Sequence, residues 1–126
     1  MLETARSRFH APNIVFDQMR LSELVRTDLN RRFDVLVCHD VLFHLVDEAD
    51  YHSLLDWLFG GTVRAVALSF LRHVREGRSD EAGHYVTRDF GLYNVPPGWR
   101  QLWEREYPPK NWLRLAVYGR EPGLGG

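Results

Sequence analysis

Residues 33–59, FDVLVCHDVLFHLVDEADYHSLLDWLF, decide the fold. They open on FDVLVC (33–38), a nearly continuous apolar run of strand length. Such a run suits a strand buried on both faces, as in a parallel sheet. The polar pair His39-Asp40 interrupts it. Asp47, with Asp50 three residues later, reads as a capping-box helix start with Asp in place of the usual Glu. Tyr51, Leu54, Leu55 and Leu58 then recur at the spacing of one helix face. Gly60-Gly61 is a helix stop. Just beyond it, VRAVALSF (63–70) is a second strand of the buried type. Strand, helix and strand in this order argue an α/β sheet with a right-handed crossover.

Upstream, Leu2, Ala5 and Phe9 stand at helical spacing, and Pro12 ends that pattern. NIVF (13–16) reads as a short strand, and Leu21, Leu24, Val25 and Leu29 as one or two helical turns. Arg31 and Arg32 fall where a helix C-terminus favours positive charge. Downstream the pattern loosens from 71 to 97. Arg72, Arg75, Glu76, Arg78, Asp80 and Glu81 make a solvated stretch, and 84–93 reads as an irregular edge segment. Pro96-Pro97-Gly98 reads as the start of a short helix over 99–103. Two strand-like pieces, 104–107 and 112–118, flank Pro108-Pro109-Lys110-Asn111, a connection short enough for an antiparallel hairpin.

The chain has 126 residues, enough for one domain. Apolar residues make up 44%, which is a globular composition. Sixteen basic residues against 17 acidic ones give a formal charge of -1, which argues against a dedicated nucleic-acid binder. No apolar run is long enough to span a bilayer, and Met1-Leu2-Glu3 opens no signal peptide. The single cysteine, Cys38, cannot form an intramolecular disulfide, which fits a reducing, cytoplasmic location.

The central segment resembles the fourth-strand region of class I S-adenosylmethionine (SAM)-dependent methyltransferases. There, a strand of the form FD-V-V is followed by a polar pair, a short apolar stretch ending in His, and an acidic-capped helix. Here the parts are 33–38, His39-Asp40, 41–44 and 47–59. MLETARSRF (1–9) resembles the helix after the family's second strand. NIVF corresponds to the third strand and VRAVALSF to the fifth. The C-terminal pair corresponds to the sixth strand and the antiparallel seventh. The fold expected is a partial Rossmann-like methyltransferase sheet, mostly parallel, with a C-terminal antiparallel hairpin. It would occupy residues 1–120 as one truncated domain, with 121–126 as a flexible tail.

The family's glycine-rich turn after the first strand is missing, for the first glycine is Gly60. The acidic residue ending its second strand is missing too, and the position after the third falls near Arg20, which is not acidic. A start assigned too far downstream, a truncated relative, or a partner supplying the rest would each account for this.

The resemblance implies SAM as cofactor and in-line transfer of its methyl group to a small-molecule acceptor. The adenosyl side would approach Gln18, Met19 and Arg20. The methionine end would approach Cys38, His39, Asp40 and Val41, beyond the carboxyl end of a strand, where open α/β sheets bind ligands. The alternative for these four is a polar turn that only solvates and caps. His44 is the candidate general base, since imidazole titrates near neutral pH, or else a half-buried histidine satisfying local backbone. Many methyl transfers need positioning alone. The acceptor region implied is 71–99, with Arg72, His84 and Tyr93 as substrate contacts. Arg88 and Asp89 are further candidates, set against an exposed charged loop. Trp99, Trp103 and Trp112 would stack an aromatic acceptor or anchor packing. The spacing of His39, Asp40 and His44 does not suit a metal site. No nucleic acid or membrane is expected as partner; a homodimer or a complementing chain is. A second function class is a non-catalytic pseudo-methyltransferase module that dimerises or binds a partner through an exposed sheet edge.

Overall fold

The computed structural model describes residues 4, 7, 8, 11–71, 77–78, 86–107 and 110–121. Helix α1 is Leu21–Leu24 and α2 is Glu48–Gly60. The strands are β1 (Val35–Cys38), β2 (Ala65–Leu71), β3 (Gly77–Arg78), β4 (Val86–Thr87), β5 (Trp99–Tyr107) and β6 (Lys110–Arg120). Four of them form one sheet in the order β1-β2-β6-β5, and β3 and β4 form a separate pair.

The β1–α2–β2 unit forms as its sequence dictates. The Asp47 carboxylate accepts the Ala49 N–H at 2.8 Å and starts α2. The apolar stripe of α2 (Tyr51, Leu54, Leu55, Leu58 and Phe59) is buried against Val66, Leu68 and Phe70 of β2 and Ala116 and Tyr118 of β6. After α2 the chain runs tightly past Asn30. A Cβ at Gly61 would overlap the Asn30 carbonyl, so only glycine fits this approach. Asn30 is buried, donates to the Trp57 carbonyl at 2.8 Å and accepts from Thr62 N–H at 2.9 Å. β1 and β2 are parallel, in the register Val35↔Ala65 to Cys38↔Leu68.

The sheet is α/β but not mostly parallel. Of its three pairings only β1–β2 is parallel, because β6 runs antiparallel to both β2 and β5. The helix expected over 99–103 is the first half of β5. Gly98 is the reason. At φ 94° it turns the chain directly into the strand, and its carbonyl accepts the Glu121 N–H at 2.8 Å, closing the ladder with β6.

NIVF forms no strand. Pro12 and Asn13 make a turn, Ile14 and Val15 are 47% and 81% exposed, and β propensity without a neighbouring strand carries little weight. β1 is not buried on both faces. Leu36 is half-buried and Cys38 buried toward α2, while Val35 and Val37 are exposed on the other face. The second strand starts at Ala65 rather than 63. Thr4, Ser7 and Arg8 are helical; Leu2, Ala5, Phe9 and the tail beyond Glu121 lie outside the described residues.

Candidate functional site

The carboxyl ends of the parallel pair meet at one turn. β1 ends at Cys38, opposite Leu68, so the next residue of β2, Ser69, lies beside the chain as it leaves the sheet. Ser69 is the one hydroxyl in the apolar run AVALSFL and is 1% exposed. Its Oγ accepts the Asp40 N–H at 2.7 Å and donates to Asp40 Oδ1 at 3.5 Å. Asp40 has φ 56°, the only non-glycine residue with positive φ among the described residues. That left-handed conformation is unfavourable for an L-residue by ~1–2 kcal/mol and persists where surroundings impose it. Here the buried serine imposes it. The other oxygen, Oδ2, lies 3.3 Å from His39 Nε2, and both side chains are about half exposed. The turn therefore presents an imidazole and a carboxylate outward from a rigid base.

Cys38 sits below them. Burial pushes its thiol up to about 11, so it stays protonated and does not act as a nucleophile near neutral pH. Val41 is exposed and leads into a single 3₁₀ turn, Leu42–His44, whose Leu42 plugs into the core. His44 is exposed on that turn. Its N–H donates to the Val41 carbonyl at 3.0 Å and its ring tilts against Phe43 at 4.4 Å. Among the described residues no carboxylate orients that ring, so the geometry gives His44 no feature of an activated base.

Gln18, Met19 and Arg20 do come together. With Glu23 they line an open cleft of about 300 Å³. Glu23 was not singled out from the sequence. The one-turn helix α1 brings it into the cleft three residues after Arg20, and its carboxylate supplies the acidic group that Arg20 lacks. None of 38–41 is among the described residues lining this cleft.

Tyr93 lies in a third place. It lines a cleft of about 200 Å³ with Glu48, Tyr51, His52, Arg88, Asp89 and Leu92, along the outer side of α2. Its hydroxyl donates to Asp56 Oδ1 at 2.9 Å. Desolvation, with the nearby Asp56 carboxylate adding to it, holds that phenol well above its usual range. Arg88 is not available to a substrate. It is buried, donates to the carbonyls of Leu45 (2.6 Å) and Val46 (3.1 Å) and to Glu48 Oε2 (2.7 Å), and lies over the Tyr51 ring at 4.5 Å. It pins the entry to α2. Asp89 accepts the Gly91 N–H at 2.8 Å and caps a 3₁₀ turn. Trp99 is a packing anchor, donating its indole N–H to the Phe59 carbonyl at 3.0 Å. Trp103 is 42% exposed on β5. Arg72, His84 and the Trp112 side chain lie outside the described residues.

The four polar residues expected for the adenosyl side and the strand end all stand on defined features, but the two groups and Tyr93 occupy separate places. Among the described residues no three His, Cys, Asp or Glu side chains converge as metal ligands, and no helix is long and apolar enough to cross a membrane. No protein-family model, curated protein or solved structure matches the chain.

Proposed function

We propose that this chain is the C-terminal portion of a SAM-dependent methyltransferase domain acting on a small molecule. The observation that carries the reading is the strained Asp40 turn at the carboxyl end of the parallel pair, fixed by Ser69 and presenting His39 and Asp40 outward. Strain held in place at a sheet's ligand-binding end is what a preorganised site needs. The position of β6, antiparallel beside β2, supports the same reading, since the resemblance assigns that strand to an antiparallel seventh.

The residues fit the cofactor in two pieces. Asp40, a half-exposed carboxylate, suits the amino group at the methionine end, through a charge-assisted hydrogen bond. Glu23, with Gln18, suits hydroxyl and amine donors at the adenosyl side. No glycine precedes Gly60 to let backbone approach the ligand between them. When bound, the cofactor supplies a sulfonium-activated methyl group. The chain's own residues would orient it: Asp40 and His39 would hold one end, and Gln18, Met19, Arg20 and Glu23 the other. Positioning, not proton abstraction by His44, is the contribution of this half.

A titration of the ¹⁵N-labelled chain with S-adenosylhomocysteine, followed by amide shifts, tests this. Shifts concentrated at 18–23 and 38–41 are expected. Shifts absent there at saturating ligand, or confined to the Tyr93 cleft, contradict it. The second reading, a non-catalytic interaction module, is favoured by one feature: among the described residues the outer edge of β1 pairs with no strand, and it is apolar.

A further inference from the structure

The cleft that Tyr93 lines along α2 has two kinds of lining. One is apolar and aromatic. Leu92 is 70% exposed there, and the rings of His52 and Tyr93 stand 6.5 Å apart, tilted by 36°. The Tyr93 ring is fixed from behind, stacked on Phe59 at 6.1 Å and on Phe90 at 5.7 Å. The other lining is charged, with Glu48, Asp89 and Arg88.

These charges do not balance. Arg88 uses its donors inside the fold: Nε on Glu48 Oε2, Nη1 and Nη2 on the carbonyls of Leu45 and Val46. Its planar face lies over the Tyr51 ring. Glu48 answers its single positive charge. Asp89 has no counter-ion among the described residues, and its Oδ1 accepts only the Gly91 N–H. Asp56 adds a third carboxylate, accepting the Tyr93 hydroxyl at 2.9 Å. Glu48 Oε1 and Asp89 Oδ2 meet no protein donor among the described residues. The Tyr93 oxygen has given its proton to Asp56 and keeps its lone pairs. The cleft thus offers several acceptors beside an apolar surface, and its one guanidinium is already engaged.

We infer that this cleft binds a small primary amine in its ammonium form, carried on a short apolar or aromatic body. An ammonium has three donors and no acceptor, which matches the Glu48 and Asp89 carboxylates and the Tyr93 oxygen. Hydrogen bonds from a cation to a carboxylate are about twice as strong as neutral ones, so charge selects the ligand. The body lies against Leu92 and the Tyr93 ring. A carboxylate ligand would meet repulsion and no free cation. A volume of about 200 Å³, below that of drug-sized pockets, keeps the ligand small. None of residues 38–41 is among the described residues lining the cleft, so the inference stands apart from the methyltransferase reading.

Titration of the ¹⁵N-labelled chain with benzylamine near neutral pH, followed by amide shifts, tests this. Benzyl alcohol and benzoate serve as the neutral and anionic counterparts. Benzylamine is expected to shift amides of 48–56 and 88–93 with a Kd of about 1 mM, as befits so few atoms. The alcohol should bind at least about tenfold more weakly, and benzoate should leave the cleft unshifted. Asp89→Asn keeps the oxygen that caps Gly91 and removes the charge, and it should weaken benzylamine by about fivefold. Glu48→Gln keeps an acceptor for Arg88 and should weaken it by about threefold. The dispersion of the same spectra shows that each variant is folded. Several outcomes overturn the inference: no shift in the cleft well above millimolar benzylamine, equal binding of the alcohol, or an affinity indifferent to both substitutions. Shifts confined to 18–23 or 38–41 overturn it as well.

Discussion

Asp40 and Ser69 divide a single task. The serine hydroxyl satisfies the Asp40 N–H, and that bond holds the backbone at φ 56° so that the carboxylate faces out. Asp40→Gly keeps the conformation at no steric cost and removes the carboxylate, so it should leave stability near wild type. Asp40→Ala should be less stable than Asp40→Gly by ~1 kcal/mol in urea unfolding. Equal stability of the two variants would show that the turn is not strained. Cys38 gives a pH dependence. The unfolded thiol ionises at 9.0 and the folded one at about 11. Below both values its contribution to stability is fully present. As pH rises from 9.0 toward about 11 the unfolded chain loses its proton first, so stability falls, on the order of 3 kcal/mol in all. Tyr93 works in the same direction at still higher pH. Cys38→Ala should show a shallower decline between about pH 8 and about pH 10.5 in urea midpoints; an unchanged slope would assign the effect elsewhere. At this scale the sequence was informative about residue types and silent about partners. His39-Asp40 announced a polar strand end, but Ser69 reaches Asp40 only through the β1–β2 register, which no local pattern encodes.

The elements rest on a few polar pins around an apolar stripe. α2 is held at its start by Asp47 and by Arg88, which gathers Leu45, Val46 and Glu48 from one buried guanidinium. Asp47→Ala should cost ~1 kcal/mol, the ordinary value of an N-cap. Arg88→Met should cost more, ~3 kcal/mol, because it strands two carbonyls near a buried position and removes the ion pair. Urea unfolding orders the two; a larger loss for Asp47→Ala would reverse the roles assigned here. α2 was legible because cap, stripe and glycine stop agree over its whole length. β5 was not, because Pro96-Pro97-Gly98 reads as a helix start when the positive φ of Gly98 is unknown. NIVF failed for the converse reason: its β-branched residues found no neighbour to pair with. Glu23 was missed because a one-turn helix gives no periodicity from which to place a carboxylate.

For the whole molecule, the β1–α2–β2 unit is covered by α2 on one side, and among the described residues no element covers β1 on the other. One face of the sheet carries the core, and the opposite face shows Val35 and Val37 at its edge. The same edge ends in the turn proposed to hold the cofactor. The α/β class and the strand pair were readable from 33–70. The antiparallel β5–β6 hairpin was readable from its short connection, but the β2–β6 pairing was not, since it depends on where β6 inserts, and that is a long-range choice. Calorimetric titration of the purified chain with S-adenosylhomocysteine, beside Asp40→Gly, tests the central claim most directly. The account predicts micromolar binding, about -8 kcal/mol, weakened at least about tenfold by Asp40→Gly. No heat at millimolar ligand with the folded chain, or equal affinity of the variant, would contradict it.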